Sequence, residues 1–117
     1  MAFFTVEFCV KSLARRTKMD IVIPSLGLGE SLGNKDDNYY QNRDKKFPLL
    51  IFLHGFGESE KAWTTSSNAI RLCEENGVAA CFVNGENKWY LNMGQIDDFY
   101  NLLEKEVTDF LYGNFKC

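Results

Sequence analysis

The sequence predicts an α/β fold in which an antiparallel hairpin joins a mostly parallel sheet, with one helix on each face. Three observations carry this. Residues 47–58 read FPLLIFLHGFGE, where a proline launches five consecutive apolar residues, Leu49 to Leu53, before a histidine and two glycines stop them. A strand with one wet face alternates apolar with polar, so an unbroken apolar run fits a strand covered on both faces. A helix signal and a second apolar run, Val78 to Val83, then follow, which makes one βαβ crossover and sets the two apolar strands parallel. Two β-rich runs near the start complete the sheet. With 117 residues, 45% of them hydrophobic, the chain is expected to be one domain around one core.

In order, Phe3 to Val10 and Thr17 to Ile23 are the hairpin, with Val6, Phe8 and Val10 alternating against Thr5, Glu7 and Cys9 across a basic turn. Pro24 ends the second run, and SLGLGESLGNKDDNYYQNRDKK has no apolar periodicity, so it reads as a long surface loop. After the central strand, Gly55 and Gly57 permit close backbone approach and positive φ. Ser66 or a neighbouring Thr then caps a helix that puts Ile70 and Cys73 on one face, and Asn76-Gly77 stops it. The loop NGENKWYLNMGQ leads to a second helix with a stripe of Phe99, Leu103, Val107, Phe110 and Leu111. Asp97 and Asp98 suit its N-terminus and Gly113 its end.

A net charge of -3 and a pI near 5.1 argue against a nucleic-acid or polyanion binder, which needs a clustered basic face, and the basic clusters Lys11 to Lys18 and Arg43 to Lys46 read as solvated turns. The apolar start MAFFTVEFCV is too short to span a bilayer and lacks the marks of an export signal. Cys9, Cys73, Cys81 and Cys117 are widely spaced, so reduced thiols in a cytoplasmic protein are expected rather than disulfides or zinc. No metal and no cofactor is expected.

Strand, glycine loop, helix is an arrangement that gathers free backbone amides, which favour a phosphate or a developing oxyanion beyond the carboxyl ends of the strands. Gly55 and Gly57 begin a dinucleotide fingerprint, yet Glu60 stands where the third glycine belongs and Glu58 would repel a pyrophosphate. Gly29-Glu30-Ser31-Leu32-Gly33 is a literal G-x-S-x-G, the pattern of a nucleophile elbow. Its context is wrong, because Pro24 separates it from the preceding strand and no helical stripe follows. Gly57-Glu58-Ser59-Glu60 begins the same way and then continues with Lys61. His54 is the chain's only histidine, and one that ends a strand is expected to hydrogen-bond nearby backbone. Trp89 and Tyr90 follow an apolar strand at the edge that carries the glycine loop, where they line an apolar pocket or cover the core.

Taken together, AFFTVEFCVKSLARRTKMDIVIP, FPLLIFLHGFGES, IRLCEENGVAACFVNGENKWYLNM and DDFYNLLEKEVTDF resemble the N-terminal half of the esterase D-like α/β-hydrolases. The likeness is strongest to tributyrin esterases, with S-formylglutathione hydrolases as more distant cousins. The resemblance implies that the amide of Phe56, with Gly57 beside it, forms half of an oxyanion hole. It further implies that Trp89 and Tyr90, with His54 and Gly55, border the acyl site. In that family the hairpin lies at one side, the Val78 to Val83 strand comes next, and the Leu49 to Leu53 strand pairs beyond it with the elbow strand. The elbow, acid and histidine follow the second helix, and residues 1–117 contain no counterpart of them. The expected function is therefore that of a serine carboxylesterase fragment for short acyl esters, inactive alone, which self-associates or pairs with a missing C-terminal half. A non-enzymatic anion- or nucleotide-binding module and one half of a split hydrolase are the alternatives.

Overall fold

The structure is a computed structural model that describes residues 1–25, 32–33, 46–115 and 117. Four strands form one sheet in the order β1-β2-β4-β3, where β1 is Ala2–Val10, β2 is Arg15–Ile23, β3 is Leu49–Phe52 and β4 is Ala79–Val83. β1 pairs antiparallel with β2 from Ala2 opposite Ile23 to Val10 opposite Arg15, and β2 pairs antiparallel with β4. β3 pairs parallel with β4, Leu49 beside Ala79 and Phe52 beside Phe82. This is the mixed sheet expected from the sequence, with the hairpin at one side and the most apolar strand at the other.

Because β4 is buried throughout, its alternate residues feed two separate cores. Cys81 and Val83 join Met19 and Ile21 of β2 under the C-terminal helix, packing on Phe99, Leu102, Val107 and Leu111. Ala80 and Phe82 join Val22 on the opposite face under Ala69 and Cys73. Phe82 stacks on Phe52 at 4.9 Å between ring centroids, and Phe52 meets Trp63 at 5.3 Å. Full burial of a side chain such as Phe82 stabilises by roughly 1.5–3 kcal/mol.

The helices depart from expectation in two places. A short helix, α1 (Ala62–Ser66), precedes α2 (Ala69–Glu75), so Ser66 closes one helix instead of capping the next. The Ala69 amide donates instead to Ser67 Oγ at 3.2 Å, and Ser67 Oγ donates in turn to Trp63 O. The C-terminal helix runs as α3 (Phe99–Asn101), a π-helical turn over Leu102–Val107, and α4 (Thr108–Asn114), so it includes Gly113. A π turn adds a residue per loop, which brings Leu102 and Val107 onto the core face and leaves Leu103 only partly buried. Asp97 and Asp98 lie at the helix N-terminus as expected, Asp98 as the N-cap residue, and their side chains bond elsewhere: Asp97 pairs with Arg15, and Asp98 Oδ1 accepts the Gly94 amide at 2.9 Å.

Asp20, fully buried on β2, accepts from Thr5 Oγ1 at 2.8 Å and from Lys61 Nζ at 2.8 and 2.6 Å. These bonds tie the start of α1 to the sheet. Among the described residues no helix is long and apolar enough to cross a membrane.

Candidate functional site

Parallel pairing brings the carboxyl ends of β3 and β4 to one end of the sheet, and the loops that leave them, 53–61 and 84–98, meet there. The pivot is His54, 6% exposed. Its Nε2 accepts the Gly85 amide at 2.8 Å, and its Nδ1 lies 2.7 Å from Gly55 O. An amide can only donate and a carbonyl can only accept, so the ring is held as the neutral Nδ1–H tautomer with both nitrogens engaged. His54 joins the two loops and has no nitrogen left to move a substrate proton.

The 84–98 loop is built from unusual backbone. Glu86, Asn87, Trp89, Tyr90 and Asp97 all have φ between 47° and 59°, a region that costs an L-residue about 1–2 kcal/mol. Specific bonds hold this conformation. Asn84 Oδ1 accepts the Glu86 amide at 3.0 Å, and the Lys88 amide returns to Gly85 O at 3.0 Å. Arg15, at the start of β2, reaches over to form ion pairs with both Glu86 and Asp97. The guanidinium is held above its usual pKa, chiefly by its hydrogen bond to Asp97, against partial desolvation and with help from Glu86. Tyr90 donates its hydroxyl to His54 O at 2.8 Å, and burial raises its pKa. Its ring lies so close to Gly85 that a Cβ there would sit 2.5 Å from Cε1.

These contacts leave a cavity of about 250 Å³ lined by His54, Gly55, Phe56, Gly85, Asn87, Trp89 and Tyr90. Five of the six residues singled out in the sequence thus meet around one space. Phe56 and Trp89, 72% and 69% exposed, stack at its mouth with centroids 5.7 Å apart. Gly57, the sixth, has φ +83° and donates its amide to Asn87 Oδ1 at 2.7 Å, so that donor is already engaged. Among the described residues no acceptor meets the Phe56 amide. Asn87 and Gly85 were not singled out in the sequence. The Asn-Gly-x-Asn run that contains them marks a turn without saying which loop it grips.

The G-x-S-x-G serine, Ser31, lies outside the described residues. The strand residues that bracket its loop, Ile23 and Leu49, are at the end of the sheet away from His54.

No protein-family model and no curated relative matches the sequence. Solved structures do match. The fluorophosphonate-binding serine hydrolase FphF of Staphylococcus aureus, described as substrate bound, superposes with a TM-score of 0.78 at 20% identity, over 98% of this chain and 42% of that one. An S-formylglutathione hydrolase from Agrobacterium tumefaciens gives 0.75 at 10% identity, over 98% and 44%. A ferulic acid esterase from Anaeromyces mucronatus gives 0.65 at 14%, again over 98% and 44%. This chain therefore spans less than half the length of each of these three structures. Its four-stranded mixed sheet, with a helical layer on each face, is the N-terminal part of an α/β-hydrolase fold of the kind seen in esterase D-like serine hydrolases.

Proposed function

We propose that the chain supplies the oxyanion-hole side of a serine ester hydrolase, with Phe56 N–H as the donor to the developing oxyanion of a short acyl ester. The observation that carries this reading is an unengaged amide at the mouth of a cavity beyond the carboxyl ends of two parallel strands. When a serine Oγ attacks an ester carbonyl, the carbonyl oxygen becomes an anion, and a fixed amide aimed at it stabilises the transition state more than the ground state. Phe56, Trp89 and Tyr90 would border the acyl chain, while the His54 bridge keeps the two loops in register. The attacking serine and its base would come from residues beyond these 117, because the one imidazole here has both nitrogens committed. A pyrophosphate needs several convergent amides, and Gly57 N–H is taken by Asn87 and Glu58 N–H by Gly55 O, which disfavours the nucleotide-binding alternative.

The test is amide chemical-shift mapping with butyrate and with butylphosphonate, anions that mimic the charge and chain of the intermediate. The Phe56 amide is expected to move, and the accompanying shifts at Gly55, Trp89 and Tyr90 are expected to vanish in Phe56→Pro, which removes the donor with the ring, but to persist in Phe56→Ala, which removes the ring alone. Shifts confined to other loops reject the assignment. In parallel, the chain is expected to hydrolyse p-nitrophenyl butyrate no faster than Ser31→Ala. Serine-dependent turnover would restore Ser31 as a nucleophile and overturn the reading.

A further inference from the structure

One carboxamide joins the two loops at the cavity. Asn87 Oδ1 accepts the Gly57 amide at 2.7 Å, and Asn87 is also among the residues that line the cavity of about 250 Å³. An N–H can only donate, so this bond decides which end of the carboxamide meets Gly57: the oxygen does, and the Nδ2H2 group is directed elsewhere. Among the described residues no acceptor meets Nδ2. The backbone of Asn87 is left-handed, with φ 59°, a conformation that glycine, asparagine and aspartate tolerate best. An aspartate would therefore satisfy both the backbone and the Gly57 amide, so those two tasks call for the oxygen alone. What the nitrogen adds is two donors. Accepting a hydrogen bond at Oδ1 polarises the carboxamide and strengthens donation from Nδ2. Gly57 N follows Phe56 N by one residue, and Oδ1 shares its carbon with Nδ2, so the Phe56 and Asn87 donors stand close together at the mouth.

We infer that Asn87 Nδ2 is a second donor of this site, giving a hydrogen bond to one oxygen of a ligand whose other oxygen takes Phe56 N–H. The ligand class is then a carboxylate, a phosphonate or a tetrahedral ester adduct, each with two oxygens on one carbon or phosphorus. This rests on the proposal that Phe56 N–H meets the ligand, and it adds recognition of a second oxygen. Two donors on two oxygens also fix the rotation of the group about its chain, which a single donor leaves free. The adjoining Glu86 carboxylate is ion-paired with Arg15, which lessens its repulsion of an anion here.

Side-chain resonances read this contact directly. The Asn87 Nδ2H2 signals, identified by their loss in Asn87→Asp, are followed as butylphosphonate is added, and they are expected to move together with the Phe56 amide. Asn87→Gly and Asn87→Asp both tolerate φ 59°, and the aspartate also keeps an acceptor for the Gly57 amide. Each is expected to bind butylphosphonate roughly tenfold more weakly or worse, the worth of one charge-assisted hydrogen bond. For Asn87→Asp the deficit is expected to persist in about 1 M salt, where the screening length is about 3 Å. A deficit that closes in salt means a charge acting from a distance and overturns the inference, as does full affinity in Asn87→Gly. A Phe56 amide that moves while the Asn87 side chain stays still overturns the inference and leaves the oxyanion-hole reading standing. The reverse pattern rejects Phe56 and keeps Asn87, and no movement of either rejects both.

Discussion

Gly85 and Tyr90 show how single atoms set the site. A methyl at position 85 would lie 2.5 Å from Tyr90 Cε1 and 2.7 Å from Cζ, and the ring cannot retreat without giving up its bond to His54 O. Gly85→Ala is therefore expected to cost about 1–3 kcal/mol, the range for overpacking a filled site. Tyr90→Phe should cost about 1 kcal/mol, the net worth of one hydrogen bond. Combined with Tyr90→Ala, the Gly85→Ala penalty should largely disappear, because the clashing ring is gone. Urea midpoints of the unmodified chain, Gly85→Ala, Tyr90→Ala and the double variant check this, with Tyr90→Phe alongside, and strict additivity would show that Gly85 matters for some reason other than Tyr90. At this scale the sequence was partly legible. The lone His54 at a strand end reads as backbone-bound, and it is. Nothing in the residue order shows that Asn87 takes the Gly57 amide, because that pairing spans 30 positions.

Elements were legible where burial dictates their pattern and obscure where local geometry overrides it. The run from Leu49 declares a strand because water cannot be allowed on either face, and the alternation from Thr5 to Val10 declares a hairpin arm for the opposite reason. The C-terminal stripe is misread by one position at Leu102 and Leu103, because a period of 3.6 assumes a regular helix and the π turn breaks it. The loop 84–98 was least legible, since several non-glycine residues in left-handed conformations contradict their own preferences and are held by tertiary bonds. Arg15 is the most distant of these restraints in sequence, joined to Glu86 and Asp97 at the surface. Exposed ion pairs contribute only about 0–1 kcal/mol each, so Arg15→Met should barely move the melting temperature. It should nevertheless raise hydrogen exchange across amides 86–97, because the loop loses the restraint that offsets its backbone strain. Unchanged exchange would assign the loop's order to the His54 and Tyr90 contacts alone.

Across the whole molecule, the way β4 divides two cores has a consequence for stability against pH. Cys81 sits at its centre, and burial, with smaller contributions from Cys117 and Asp20, pushes its thiol up to about 12. Burial also raises Cys73 and Cys117, with Lys46 partly opposing the shift at Cys117, and it raises Tyr90. In the unfolded chain these thiols ionise near pH 8.5–9, roughly the value for free cysteine. Above that pH the unfolded state sheds protons that the folded state keeps, so the unfolded state binds fewer and stability falls as pH rises. The contribution of these groups should be constant below about pH 8 and decline from about pH 9. Cys81 alone should contribute a slope of about 1.4 kcal/mol per pH unit until its folded-state pKa of about 12 is reached. The check is a series of urea midpoints across this range under reducing conditions, with Cys81→Ala for comparison. The variant is less stable at every pH because it leaves a cavity between β2 and the C-terminal helix, so the slope is the diagnostic quantity. A slope shallower by close to one proton is expected in the variant. An identical slope would mean that the Cys81 thiol ionises in the folded chain, and that the two cores are not sealed from water at the strand they share.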